Sequence, residues 1–248
     1  MLLLFRSGTP ARAPRLAAMR SPFTDNHALI DKFEYFIANP QFPCVGAKSA
    51  LAKHQIKAVV ARSITSGWND MTIHAALMKF AADYRLNRKM FQSLAVIFEG
   101  PRTITEACFE ESMWKRIQSV SDKDVWLGQK YDRKVSPDPA NPHFSLSFGG
   151  EAFFVVGLHP HASRKARRFV APTMIFNLHD QFERLRAEGR YEKLRGSILG
   201  RDEHYSGSMN PMLARHGEQS EARQYSGRAV DNDWGCPFAY QGKIRDAA

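Results

Sequence analysis

The chain has 248 residues, 44% of them hydrophobic and 24% charged, which suffices for one large domain or two small ones. Its three cysteines, Cys44, Cys108 and Cys236, are too few and too scattered for a disulfide framework, which points to a reducing cytoplasm. No apolar run approaches the roughly 18 residues that span a bilayer, so no membrane partner is expected, and the net charge of +10 falls to +6 once Arg6, Arg12, Arg15 and Arg20 are set aside.

The first 21 residues carry those four arginines and no acid. Their apolar run of four or five residues is shorter than the roughly 7–15 of a secretory signal. They read as an extension without packed structure: a transit peptide if the source is eukaryotic, or an artefact of a true start at Met19. The domain is placed at residues 22–248. Asp25 or Asn26 can cap a helix bearing Leu29, Ile30, Phe33, Phe36 and Ile37. After Pro40 and Pro43 a short helix holds Ala47, Ala50 and Leu51, with Cys44 read as core. Asn69 or Asp70 opens a helix whose stripe is Ile73, Leu77, Phe80, Ala81 and Tyr84; His74 lies one residue off it and reads as a surface or edge histidine.

Phe91–Phe98 is rich in strand formers and stops at Gly100-Pro101, so it reads as a strand and turn. Thr103 or Thr105 starts a helix through Phe109, Met113, Trp114 and Ile117. Asp132–Pro142 is a loop, and Phe144–Phe148 with Ala152–Gly157 form a hairpin about Gly149-Gly150. Asn177 is expected to cap a helix with Leu178, Phe182 and Leu185, with Asp180 and Arg184 paired four residues apart. Gly189 ends or bends it, and Tyr191, Leu194 and Ile198 carry the pattern on. From Gly207 the chain loses periodicity, and a long aperiodic stretch inside a domain is usually functional. The fold class is α+β: a single domain with a mixed or antiparallel sheet flanked by helices and a long ordered C-terminal loop region.

Polar residues crowd one part of this pattern. Asn141–Phe238 sets His159, His161 and His179 against apolar strand residues, and eleven arginines from Arg164 to Arg228 alternate with eight acids. Alternating signs suit paired helix faces better than a phosphate-tracking stripe, and no nucleic-acid module is present. Polar density beside strands is costly unless the groups pair with one another or with a ligand.

Ordered motifs here resemble the YqcI/YcgG family. They include Phe42-Pro43-Cys44, Phe98-Glu99-Gly100-Pro101, Phe148-Gly149-Gly150, Gly157-Leu158-His159-Pro160, Arg167-Arg168-Phe169, the run Ser220–Arg228 and Cys236-Pro237-Phe238. The resemblance runs from about Pro22 to Phe238. It implies a haem-dependent oxygenase (haem b) that N-hydroxylates a guanidino or amine small molecule, with electrons from an external donor or from peroxide, since no flavin or nicotinamide fingerprint is present.

Within that reading, His159 is a candidate axial ligand, held at a strand end before Pro160. His179 is its rival, with Glu183 in reach to orient it, and Cys236 is a thiolate alternative. Arg164, Arg167 and Arg168 are candidates for the haem propionates. Glu221 or Glu218 could pair a guanidino substrate against Trp234 or Tyr225, with Glu221 and Tyr225 as catalytic candidates. Two other readings stand beside this one. The Arg/Glu groups form a structural network in a non-catalytic ligand-binding or interaction protein, or His159 and His161, sharing a strand face, hold a non-haem metal.

Overall fold

Helix α1, Ala28–Ala38, is the first regular element of the computed structural model, which describes residues 21–212 and 217–242. The proposed N-terminal extension therefore lies outside the described residues, apart from Ser21. In α1, Leu29, Phe33 and Ile37 recur at one-turn spacing and are buried together. The cap is His27, not Asp25 or Asn26: its Nδ1 accepts the Leu29 N–H at 3.1 Å. Helix α2, Val45–Ala52, begins at Cys44, whose Sγ accepts the Ala47 N–H at 3.4 Å.

Strand β1, Ile56–Ser63, is an element the sequence reading did not assign. Helix α3, Asp70–Leu86, starts where Asn69-Asp70 suggested. Strand β2, Ser93–Gly100, lies two residues downstream of its expected start, and α4, Glu106–Trp126, is capped by Thr105 Oγ1 on the Cys108 N–H at 3.2 Å. Strands β3, Leu146–Phe148, and β4, Glu151–Leu158, form the expected hairpin. Gly149 and Gly150 have φ of +58° and +80°, the paired positive angles of a two-residue turn that matches strand twist. A side chain at Gly149 would also meet Met78 Sδ at 2.9 Å.

Asn177 does not cap a helix. It belongs to strand β5, Thr173–Leu178, and helix α5, His179–Ala187, follows without a side-chain cap. The periodic segment beyond Gly189 is helix α6, Tyr191–Ser206, and a single turn, α7, Ala222–Tyr225, interrupts the C-terminal loops. The expected Asp180–Arg184 pair is replaced by longer-range contacts. Asp180 accepts from Tyr84 Oη at 2.7 Å, and Arg184 donates to the Arg88 carbonyl at 2.7 Å.

The strands form one open sheet in the order β1-β2-β5-β4-β3. Only β1 and β2 run parallel, joined through α3; the other neighbours are antiparallel, so the sheet is mixed and the fold is α+β. Alternation along β2 divides the core. Leu94, Val96 and Phe98 face α3, α4 and α7, whereas Ala95 and Ile97 face α1. His74 is buried rather than at an edge: its Nε2 lies 2.8 Å from Asp124 Oδ1, and Asp124 also accepts the Gly149 N–H. That bond satisfies an imidazole one residue off the apolar stripe, which is why α3 can bury it. Among the described residues no helix is long and apolar enough to cross a membrane.

Candidate functional site

A cavity of about 300 Å³ opens between the sheet and the helices on the α1 side. Alternate residues of β4 and β5 point into it: Phe154, Val156, Leu158, Ile175 and Asn177. Phe33 and Ile37 of α1, Cys44 and Ala47 at the head of α2, Phe182 and Leu185 of α5, and Leu194 and Ile198 of α6 close the walls. The lining is mostly apolar; besides Gln92 and Gln181, which bond each other, its polar groups gather at two places. On the sheet, the cross-strand partners Ser93 and Asn177 bond through Ser93 Oγ and Asn177 Oδ1 at 2.7 Å. At one end stand Arg164, Arg167, Asp202 and Asn210. An apolar pocket with a few convergent polar groups is the usual form of a small-molecule site.

The charged end is ordered by the chain that leaves β4. Arg164 donates from Nη2 to Asp202 Oδ2 at 2.6 Å and to the Ser208 carbonyl at 2.8 Å, while its buried Nε has no acceptor. Arg167 is held by carbonyls: Gly157 and Tyr225 on Nη1, and Gln224 on Nη2. Gly227, at φ +88°, lies over the Arg167 stem, and a Cβ there would sit 2.5 Å from Arg167 Cδ. Enclosure of this guanidinium pulls its pKa down to about 10. Arg168 turns away and donates to the Ala162 and Ser163 carbonyls. Of the three candidate propionate-binding arginines, Arg164 and Arg167 reach the cavity and Arg168 does not.

The histidines stand elsewhere. His159 follows the last residue of β4 and is fully buried on the other face, its ring stacked on Phe109 with centroids 4.5 Å apart. Neither ring nitrogen has a hydrogen-bond partner, and Glu106 Oε1 is 3.9 Å from Nε2. Burial drives its pKa down to about 4, against the pull of Glu106. His161 is exposed in the turn after Pro160. The paired face expected of His159 and His161 does not form, because β4 ends at Leu158 and the alternation of a strand ends with it. His179, the first residue of α5, is buried, with its Nε2 3.8 Å from both Glu183 Oε1 and Glu221 Oε1. Among the described residues there is no group of three or more His, Cys, Asp or Glu placed to hold a metal ion.

The loop residues divide again. Tyr225 is wholly buried, donates to the Phe153 carbonyl at 3.3 Å and stacks near Trp114; burial and the neighbouring Glu221 push its pKa well up. Glu221 accepts from Ser145 Oγ at 3.4 Å. Glu218, Trp234 and Cys236 line a separate, shallower groove of about 490 Å³ with Pro139, Pro142 and Arg223. Burial raises the Cys236 thiol to about 12, so it is a thiol and not a thiolate at neutral pH. Arg228 Nε and Ser226 Oγ both bond Glu110 of α4, at 2.6 and 2.9 Å, and Arg223 holds the Asp231 carbonyl at 2.5 Å. These bonds fasten the loop to the domain.

Sequence reasoning missed Cys44, Ser93, Asn177, Phe182 and Asp202 as lining residues. Cys44 carried one available signal, a helix-start position after Pro43. Its thiol is raised by burial, while the N–H groups of Ala47 and Gly46 pull it the other way. Ser93 and Asn177 share a site only through the β2–β5 pairing, for which neither local sequence carries a sign.

Comparison with curated proteins and with solved structures yields no match. A family model described as the YqcI/YcgG family matches residues 33–239. That span starts inside α1 and ends beyond α7, so it takes in the whole sheet and every helix around the cavity: the chain belongs to the YqcI/YcgG family.

Proposed function

We propose that the chain is a haem-dependent oxygenase acting on a nitrogen of a small guanidino or amine compound, with the apolar cavity as its binding site. The observation that carries this reading is the composition of that cavity: apolar walls from sheet and helices, a thiol at one helix start and guanidinium groups at one end. A porphyrin is a flat apolar body with two carboxylates, and these residue types suit it. Cys44 is the soft donor in the lining, and a thiol that coordinates a metal is deprotonated outright, which overrides the effect of burial. Arg164 would pair a propionate, and the Ser93–Asn177 pair would orient a polar group lying against the sheet. When bound, haem supplies the iron chemistry that activates oxygen. His159, His179 and Cys236, the ligands expected from sequence, do not line this cavity.

The test is reconstitution with haemin. The expected result is a Soret band in the full chain that Cys44→Ser shifts or removes, while His159→Leu and His179→Ala leave it in place. A chain that stays colourless sinks the oxygenase reading.

A second reading has an observation of its own. Arg228 and Ser226 bond Glu110, and Arg223 bonds the Asp231 carbonyl; polar groups spent on fixing a loop support a non-catalytic ligand-binding protein. Ligand binding in the cavity without turnover of any guanidino or amine compound, haem supplied, would favour it.

A further inference from the structure

Helix α6 lies over the cavity without a packed face of its own. Leu194, Ile198 and Asp202, spaced four residues apart on one stripe, line the cavity wall. Neither apolar residue is buried, and Asp202 is the one buried residue of the 16. Helix α3, of 17 residues, buries Ile73, Leu77, Phe80 and Tyr84 among others. Most helical stability in a folded protein comes from packing an apolar face, and Gly196 and Gly200 lower the propensity of α6 further.

The bonds that hold α6 down are polar. Arg201 Nη2 donates to the carbonyls of Pro40 and Phe42, at 2.8 and 3.2 Å, which ties the helix to the turn between α1 and α2. Asp202 accepts from Arg164 at 2.6 Å, which ties it to the loop after β4. At each end the chain turns on a glycine, Gly189 at φ +67° and Gly207 at φ +81°, and a Cβ at either would meet no atom within 4 Å. Element-terminal residues of this kind absorb the backbone change of a closing segment. A segment with few buried apolar contacts opens at low free energy.

We infer that α6 is a hinged cover: it leaves its seat to admit a ligand, and a ligand filling the cavity gives Leu194 and Ile198 the apolar contact they lack, so that binding holds it shut. The inference rests on the cavity being the binding site, and it holds whatever chemistry follows.

Hydrogen exchange of the full chain, read peptide by peptide, tests the opening. Once undocked, a helix of this length with two internal glycines does not keep its turns in water, so opening exposes its amides. Amides of 191–206 should exchange about a hundredfold or more faster than those of α3 and α4. Arg201→Ala, which removes the bonds to two carbonyls, should speed α6 about tenfold further and leave α3 and α4 unchanged. Protection in α6 equal to that in α3, or a variant that speeds all three helices alike, would overturn the inference.

Cys44 reports whether the opening is a way in, since it lines the cavity. N-ethylmaleimide should alkylate it about tenfold faster in Arg201→Ala than in the parent chain, while Cys236, in the separate groove, keeps its rate. Equal rates at Cys44, or acceleration at both cysteines, would count against a cover.

Haemin then separates this inference from the oxygenase reading. A chain that gives a Soret band should exchange its α6 amides at least about tenfold more slowly with haemin bound; a band with α6 exchange unchanged defeats the inference alone. A colourless chain in which Arg201→Ala still speeds Cys44 alkylation defeats the oxygenase reading alone.

Discussion

The two faces of the sheet are built from similar residues and packed to different ends. On the α3–α4 side, Phe80, Phe148, Phe153, Phe176 and Tyr225 interlock, with Phe148 and Phe176 edge-to-face at 5.8 Å and Phe153 and Phe176 at 6.2 Å. On the α1 side, Phe33 meets Phe169 edge-to-face at 5.5 Å and Phe36 meets it tilted at 5.4 Å, but the packing stops short and leaves the cavity. Native interiors tolerate few voids of that size, because lining atoms lose dispersion contacts on their empty side. One face therefore holds the domain together and the other leaves open space.

The sharpest way to break this comparison is to truncate one aromatic on each face. Phe153, fully buried among other rings, should cost about 3–5 kcal/mol as Phe153→Ala, by lost transfer energy plus the new cavity. Phe182, part-exposed beside the existing cavity, should cost roughly 1 kcal/mol as Phe182→Ala, because part of its surface already lacks partners. Urea denaturation measures both. Equal losses would mean that the α1 side is as tightly packed as the other.

His159 sharpens the same contrast through pH. It lies on the dense side, neutral and stacked on Phe109, with its folded pKa lowered from 6.5 to about 4. Between those values the unfolded chain takes up a proton that the folded chain refuses, so stability falls as pH drops through the window and is intact above it. The lost stability should reach up to about 3 kcal/mol near pH 4. His159→Leu should show a shallower acid limb by that amount, since the carboxylates titrating nearby are common to both proteins. Parallel acid limbs would show that the imidazole is not held neutral.

Third in size is the seam between the dense face and the C-terminal loop. Glu110, buried in α4, accepts from Ser226 Oγ and Arg228 Nε. Glu110→Ala should cost about 2 kcal/mol, less than a fully buried pair because Arg228 is partly exposed and its guanidinium can turn to water. Limited proteolysis should then cut faster between residues 217 and 242. Unchanged cleavage would mean that the loop is anchored elsewhere.

Much of this arrangement is legible in the sequence, and the gaps share a cause. The helix start at Thr105 follows a side-chain cap, and the hairpin at Gly149-Gly150 and the break at Gly189 follow backbone angles, all local events; the start at Asn69-Asp70 stands where expected although Asn69 bonds the Arg62 N–H and caps nothing. Charged or polar residues interrupt strands β1 and β5: Lys57 and Arg62 in one, Asn177 in the other. Their partners in β2 and β4 make them strands, and such pairing leaves no mark within a window of eight residues. The site follows the same rule. Polar density drew attention to Arg164 and to the run Ser220–Arg228, yet polar groups that fasten a loop and polar groups that await a ligand are written alike. The cavity itself is a place where apolar side chains from four helices and three strands fail to meet, and each of those residues reads as core.

The smallest expected effect is the most diagnostic. Ala47 and Ala81 are both helical alanines, one beside the cavity in α2 and one wholly buried in α3. Ala81→Phe forces a ring into the dense face, where a Cβ at Gly149 would already lie 3.5 Å from Ala81 Cβ, and should cost about 1–3 kcal/mol or more. Ala47→Phe places the same ring where there is room. It should change stability by less than about 1 kcal/mol, the lower helix propensity of Phe being offset by apolar surface gained against Phe33 and Ile56. For a chain of this length that is a melting shift of only a few degrees, roughly 2–4 °C per kcal/mol. If Ala47→Phe is as damaging as Ala81→Phe, the space on the α1 side is not available to a ligand, and the contrast between the two faces disappears.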